Sequence, residues 1–345
     1  MADKLRVGVL GLTHDHIWGN LRDLNASPLG ELVAAADPNQ ELLDKVQAEH
    51  GAGQVFLSYE EMLDSVELDA VYVFSDNATG AELAVMAAER GLHVMVEKPM
   101  AADLEGAVQM LAAARQAGVK LMVNWPFAWW PQLQKALEMA RSGAIGQVFS
   151  TKYRSAHAGP KELGCTPYFY NWLHDADLNG AGALMDYCCY GAALARTVLG
   201  QPSRVTGVVG HLLKDYVTVD DNAVIVMQWP RAIAITEASW TQIGHLTSYV
   251  AVLYGSEGTL VVEPRNGGRL LLADREHEDG VEIEVPPSPE ELRNATAYFL
   301  HCIRHDRPIE GLCSPEVSRD AQEILEAGLL SASSGEAVSL PLPVY

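Results

Sequence analysis

The spacing of hydrophobic positions changes once along the chain, close to Asn124. Before that point, short apolar runs alternate with stretches of helical period. Residues 5–12 read as a buried strand and 16–27 as a helix; 31–36 form a second strand, followed by a helix carrying Val46 and Ala48. Val55-Phe56-Leu57 reads as a short strand and 59–63 as a short helix. Further strands at 70–74, 93–96 and 120–123 are separated by alanine-rich helices over 80–90 and 103–117. Continuous apolar strands alternating with helices predict a doubly wound parallel sheet, whose strands are buried on both faces.

Beyond Asn124 the strands lengthen and alternate with period two. A helix over 131–142 ends at Gly143, and strand-like runs follow at 147–155, 203–213, 221–229, 231–240, 249–254 and 258–262. Helices near 183–199 and 290–304 interrupt them, and a final helix over 314–334 precedes Val338-Ser339-Leu340-Pro341. This predicts an α+β unit with a large, mostly antiparallel open sheet. The expected fold is therefore α/β: a Rossmann-type doubly wound domain over 1–123, then an α+β domain over 124–345, with a cleft between them.

Composition narrows the function classes. The 345 residues suffice for two domains, and 48% hydrophobic with 20% charged residues is globular. A formal charge of −21 repels phosphate backbones and anionic membranes, so neither nucleic acid nor membrane is an expected partner. The five cysteines, Cys165, Cys188, Cys189, Cys302 and Cys313, form no CxxC pair or zinc spacing, which fits reduced thiols in the cytoplasm. Met1-Ala2-Asp3-Lys4 leads straight into a strand without a signal-peptide core, and no apolar run reaches the ~18–20 residues of a membrane helix.

The junction of first strand and first helix reads Val7-Gly8-Val9-Leu10-Gly11-Leu12-Thr13-His14-Asp15-His16. A dinucleotide needs a glycine for the tight turn and helix-start amides facing its diphosphate. Gly11 supplies the turn and the amides beside Thr13 and His14 the diphosphate contact, although Thr13 and His16 stand where a G-x-G-x-x-G pattern has glycines. Asp37 ends the second strand, placed to accept from ribose hydroxyls. Asp37-Pro38-Asn39 offers no arginine for a 2′-phosphate, which favours NAD over NADP. His14-Asp15-His16 has metal-ligating side chains, but residues two apart at a helix start do not converge on one ion and no third ligand is apparent, so no metal is expected.

At Val96-Glu97-Lys98-Pro99-Met100, after such a start, the chain resembles the glucose–fructose oxidoreductase / inositol dehydrogenase / MocA family. Ser75-Asp76-Asn77 looks like that family's cofactor loop, and Gly180-Ala181-Gly182-Ala183-Leu184-Met185-Asp186 like its glycine-rich approach to the catalytic helix. Tyr254-Gly255-Ser256-Glu257-Gly258-Thr259-Leu260 and the ending over 331–341 resemble its C-terminal signatures. The resemblance implies cofactor contacts from Ser75, Asn77, Glu97 and Lys98, and catalysis by Lys98 and Asp186. The family commonly carries a histidine four residues after the aspartate. Tyr190 stands there instead, as in the branch with glucose–fructose oxidoreductase and dihydrodiol dehydrogenase.

Lys98 follows a strand at the sheet's carboxyl edge, where open α/β folds bind ligands, and its ammonium would favour alkoxide character in a substrate hydroxyl or have its own pKa lowered by burial. Tyr190 would act as acid or base if Lys98 lowered its pKa. The aromatic stretches 125–130 and 168–175 suit the C–H faces of sugar rings, with Trp125, His174 and Asp175 as substrate contacts. The expected activity is NAD(H)-dependent hydride transfer on a sugar, polyol or related carbonyl compound, in a homodimer or homotetramer joined through the C-terminal sheet. An NAD-dependent glycoside hydrolase of the same fold and a non-catalytic ligand sensor are the alternatives.

Overall fold

The computed structural model describes residues 3–263 and 268–343. Six strands, β1 (Leu5–Leu10), β2 (Gly30–Ala36), β3 (Gln54–Phe56), β4 (Ala70–Val73), β5 (His93–Glu97) and β6 (Leu121–Asn124), form an all-parallel sheet in the order β3-β2-β1-β4-β5-β6. Five helices connect them: α1 (Ile17–Ala26), α2 (Gln40–His50), α3 (Tyr59–Ser65), α4 (Asn77–Glu89) and α5 (Leu104–Ala117). The order reverses between β1 and β4, so the loops leaving these strands diverge and open a crevice at the carboxyl edge. Val7, Val9, Val71, Val73, Val94 and Val96 are buried, as expected of strands covered on both sides.

After β6 the chain runs through α6 (Pro131–Arg141), β7 (Val148–Ala156), α7 (Pro167–Leu173), α8 (Ala176–Asn179) and α9 (Cys189–Leu199). Strands β8 (Arg204–Gly210), β9 (Asn222–Trp229), β10 (Ala232–Ser239), β11 (Val250–Gly255), β12 (Gly258–Glu263), β13 (Arg269–Asp274) and β14 (Val281–Ile283) follow, then α10 (Ala295–Arg304), α11 (Pro315–Ser334) and β15 (Val338–Ser339). The second sheet runs β14-β13-β12-β11-β7-β10-β9-β8-β15, antiparallel except where β7 lies parallel to β10. Phe149, Val208 and Ile233 on its strands are exposed.

The structure departs from the periodicity in instructive places. The strand expected over 203–213 stops at Gly210, because the Asp221 carboxylate gathers the amides of Leu212, Leu213 and Lys214 at 2.7–2.9 Å and pulls the chain out of the sheet. The helix expected over 183–199 begins as a π-turn over Leu184–Cys188, with Asp186 inside it. The helix expected over 290–304 starts at Ala295, where the Asn294 side chain caps it. Helix α7 lies outside the periodic pattern, because its aromatic run carries no 3.6-residue stripe. Residues 1–2 and 344–345, at the ends of the predicted domains, lie outside the described residues.

Candidate active site

The loops after β1, β4 and β5 meet α7 and the π-turn at the carboxyl edge of the parallel sheet. Lys98, directly after β5, is buried there, and its Nζ donates to Asp186 Oδ1 at 2.6 Å and to the Asp186 carbonyl at 3.1 Å. The other carboxylate oxygen accepts from Trp240 Nε1 at 3.1 Å. Burial alone would lift the Asp186 carboxyl, but the Lys98 charge and hydrogen bond hold it below its ordinary value. Burial likewise pulls the Lys98 ammonium down, while Asp186, with Cys189 and Glu97, pushes it up by more. The lowered lysine pKa considered from the sequence is thus reversed: a paired ammonium stays charged.

Tyr190 lies one helical turn beyond Asp186, with its ring 5.1 Å from Lys98 Nζ. Rings of Trp125, Phe127, Tyr153 and Tyr187 surround it at 5.0–5.9 Å. Burial raises the phenol well above its usual range, so the expected lowering by Lys98 does not occur. Trp125 is also placed differently from expectation: 1% exposed, it gives its Nε1 hydrogen to Ser318 Oγ at 3.1 Å and belongs to the core. Asp175 is exposed and caps α8 through Asp177 N at 2.9 Å. His174 is partly buried against Tyr170, Tyr216 and Trp240, with its Nε2 unpartnered and its pKa lowered by burial. Two residues not singled out from the sequence join this side: Tyr187, which shares a 2.9 Å hydrogen bond with Tyr249, and His157, whose ring meets Tyr187 edge-on at 4.8 Å.

The glycine run serves packing. A Cβ on Gly180 would lie 2.0 Å from the Ala102 carbonyl oxygen, and one on Gly182 would lie 1.9 Å from that of Asp220. Only glycine lets the π-turn approach the first domain and the β8–β9 connection this closely.

Suitability for a dinucleotide is decided at the turn after β1. Gly11 has φ +85°, and a Cβ there would sit 2.7 Å from Ser75 N, so the turn presses against the loop after β4. Asp37 behind it is fully buried: Oδ2 accepts from Leu12 N at 2.7 Å, and Oδ1 from Asn39 N and Nδ2 at 2.7 and 2.8 Å. Asp37 thus braces the turn from behind, and burial raises its pKa despite these donors. The His14 amide is bound to the Phe74 carbonyl, whereas Thr13, half-buried, donates no backbone hydrogen bond among the described residues. A left-handed glycine, a free amide and a helix start beside it fit a diphosphate. Ser75 and Asn77 are buried, with Ser75 donating to the Asp76 carbonyl and Asn77 to Asn179 across the domain boundary. The crevice between Ser75, Asn77, Glu97 and Pro99 holds only about 10 Å³.

Helix α7 closes over this turn. Asp15 accepts from Thr166 N and Oγ1 at 2.8 and 2.6 Å, and the rings of Phe169 and Trp172 lie 4.4 and 5.7 Å from that of His14. Beneath it, His16 Nδ1 is 3.1 Å from Glu97 Oε1, while Glu97 Oε2 accepts from Asn124 Nδ2 at 2.7 Å. Sequence spacing offered no third partner for His14 and His16; the fold supplies Glu97, 81 positions away from His16. A larger cavity, of about 970 Å³, lies elsewhere, between α6, the β9–β10 turn and the prolines at 286–289, and includes none of Gly11, Lys98, Asp186 or Tyr190.

Residues 5–125 match a family described as "Oxidoreductase family, NAD-binding Rossmann fold", and residues 133–261 match the "GFO/IDH/MocA C-terminal domain". A dTDP-3,4-didehydro-2,6-dideoxy-alpha-D-glucose 3-reductase of Actinomadura kijaniata is 33% identical over 226 residues, 65% of this chain and 65% of that protein, just under two thirds of its length. A D-xylose 1-dehydrogenase (NADP(+)) of Haloarcula marismortui is 28% identical over 82% of this chain and 79% of its own. Levoglucosan dehydrogenase, solved with NADH and levoglucosan, superimposes with a TM-score of 0.84 at 21% identity, over 99% of this chain and 100% of the other. At that identity the likeness is one of fold. No helix among the described residues is long and apolar enough to cross a membrane.

Proposed function

The chain belongs to the Gfo/Idh/MocA oxidoreductase family, and from that footing we propose that it oxidises a CH–OH group of a sugar or polyol, or reduces the corresponding carbonyl, with NAD(H), using Lys98 and Asp186 at the reacting oxygen. The observation that carries this reading is the buried Lys98–Asp186 pair at the carboxyl edge of the Rossmann sheet.

When bound, the dinucleotide supplies a hydride acceptor or donor. The rest falls to the chain. The Thr13 amide and the start of α1 would hold the diphosphate, against a turn fixed by Gly11 and Asp37. An ammonium carries three N–H groups. Two of those on Lys98 go to Asp186, leaving one for a substrate oxygen, where fixed positive charge stabilises a developing alkoxide. Asp186, held by Trp240 as well, keeps Lys98 charged and fixes its direction. With its high pKa, Tyr190 serves as a neutral wall and hydrogen-bond donor. His174, on the same side as Trp240, is the substrate contact, and its free, neutral ring would accept the hydroxyl proton on oxidation and return it on reduction.

NAD is the dinucleotide that suits this turn. The buried Asp37 carboxylate disfavours a 2′-phosphate, and Pro38, Asn39 and Gln40 bring no cation to receive one. The exposed apolar side chains Val208 and Ile233, on the same open face of the second sheet, support a dimer through that face. Calorimetric titration with NAD and NADP, followed by a screen of sugars and polyols for stoichiometric NADH formation, tests the proposal. Failure of both dinucleotides to bind overturns it; turnover without accumulation of NADH would move the reading to cofactor-recycling hydrolysis.

A further inference from the structure

The hydride chemistry leaves one cluster unused. His14, His16 and Glu97 each offer a ligand atom, and the three lie within 4.8 Å of one another. We infer that His14, His16 and Glu97 form a binding site for a zinc-class divalent transition ion.

Several observations converge on it. His14 is 1% exposed, yet its Nε2 has no hydrogen-bond partner among the described residues, an expensive state for a buried polar atom. Aromatic rings enclose this histidine: Phe74 at 6.1 Å, Phe169 at 4.4 Å and Trp172 at 5.7 Å. The carboxylate is oriented from behind, as metal-binding carboxylates require. Asn124 Nδ2 donates to Glu97 Oε2 at 2.7 Å, and Trp129 Nε1 in turn holds Asn124 Oδ1 at 3.0 Å.

Two imidazoles and one carboxylate select zinc-class ions over magnesium or calcium, which prefer all-oxygen sets. Bonds of about 2.0–2.2 Å need donor atoms drawn somewhat closer than they lie here. The half-exposed His16 ring is free to make that adjustment. In the metal-free protein the His16 amide donates to His14 Nδ1 at 3.2 Å, which puts the ring proton on Nε2. Binding through Nε2 moves that proton to Nδ1 and gives up this long bond. The nearby cation does not bar the ion, because Lys98 is neutralised by Asp186 at 2.6 Å. Three protein ligands leave coordination positions for water or a ligand oxygen.

Titration of the metal-stripped full-length protein with Co²⁺, read by its visible absorption and by displacement with Zn²⁺, tests the site without any enzymatic assay. We expect one equivalent bound, with affinity reduced tenfold or more in His16→Ala and in Glu97→Gln, each checked for native circular dichroism. The competing imidazole pair is His301 and His305, whose rings lie 4.4 Å apart, so His301→Ala should leave Co²⁺ binding intact. Absence of stoichiometric uptake, equal binding in both site variants, or loss of binding in His301→Ala would each overturn the assignment.

Discussion

Lys98 and Asp186, 88 positions apart, meet at 2.6 Å with both side chains almost wholly buried. Such a pair is a weak source of net stability, but removing one member strands a charge in a low-dielectric site. Lys98→Met is therefore expected to destabilise the fold by about 3–5 kcal/mol. The double variant Lys98→Met with Asp186→Asn should recover more than half of that loss in urea denaturation. A double variant no more stable than Lys98→Met would show that the two charges are not coupled.

The same pair sets a pH window. The Asp186 pKa is depressed on folding, so its contribution is present above the unfolded value of about 3.9 and lost as pH falls through the folded one. Lys98 is raised, so its contribution is present below about 10.4 and lost as pH climbs through the folded value. Stability measured against pH should fall more steeply on the acid side in the wild type than in Asp186→Asn. Parallel acid limbs would contradict this.

Gly11→Ala meets two obstacles, a left-handed backbone and a Cβ 2.7 Å from the Ser75 amide. It should cost about 1–3 kcal/mol and weaken dinucleotide binding, since the turn must withdraw from the loop after β4. Thermal denaturation and calorimetry read the two effects separately.

Asp37→Asn replaces an acceptor of three N–H groups by a side chain that must turn its own NH₂ towards one of them. Destabilisation of about 1–3 kcal/mol is expected. The wild type should prefer NAD to NADP by at least about tenfold, some 1.4 kcal/mol, and this variant should narrow the ratio. An unchanged ratio would mean that Asp37 plays no part in the choice.

Helix α7 is tied to the first domain at two points of different worth. Thr166→Val removes the part-buried donor to Asp15 Oδ1 together with the cap that accepts from Phe169 N, and should cost about 1.5–3 kcal/mol, with faster amide exchange over 167–173. Tyr168→Phe removes an exposed bond to Glu41 and should leave the denaturation midpoint unchanged.

Much of this architecture is legible in the sequence. Periods of two and 3.6 placed most strands and helices, because they record which faces each segment buries. The turn at Gly11, the carboxylate ending β2 and the lysine after β5 were legible because their chemistry is local to one strand end. What those side chains touch was decided by the tertiary structure. Sheet order brings Glu97 to His16 and the π-turn to Lys98; α7 delivers Thr166 to Asp15, 151 positions away. Trp125 and Asp175, which sequence context suggested as sugar contacts, are committed to Ser318 and to a helix cap. Aromatic and carboxylate side chains serve core, cap and ligand equally well, and periodicity does not separate these uses. Only long-range packing settles which donor reaches them first, because hydrogen bonding in a buried site is exclusive.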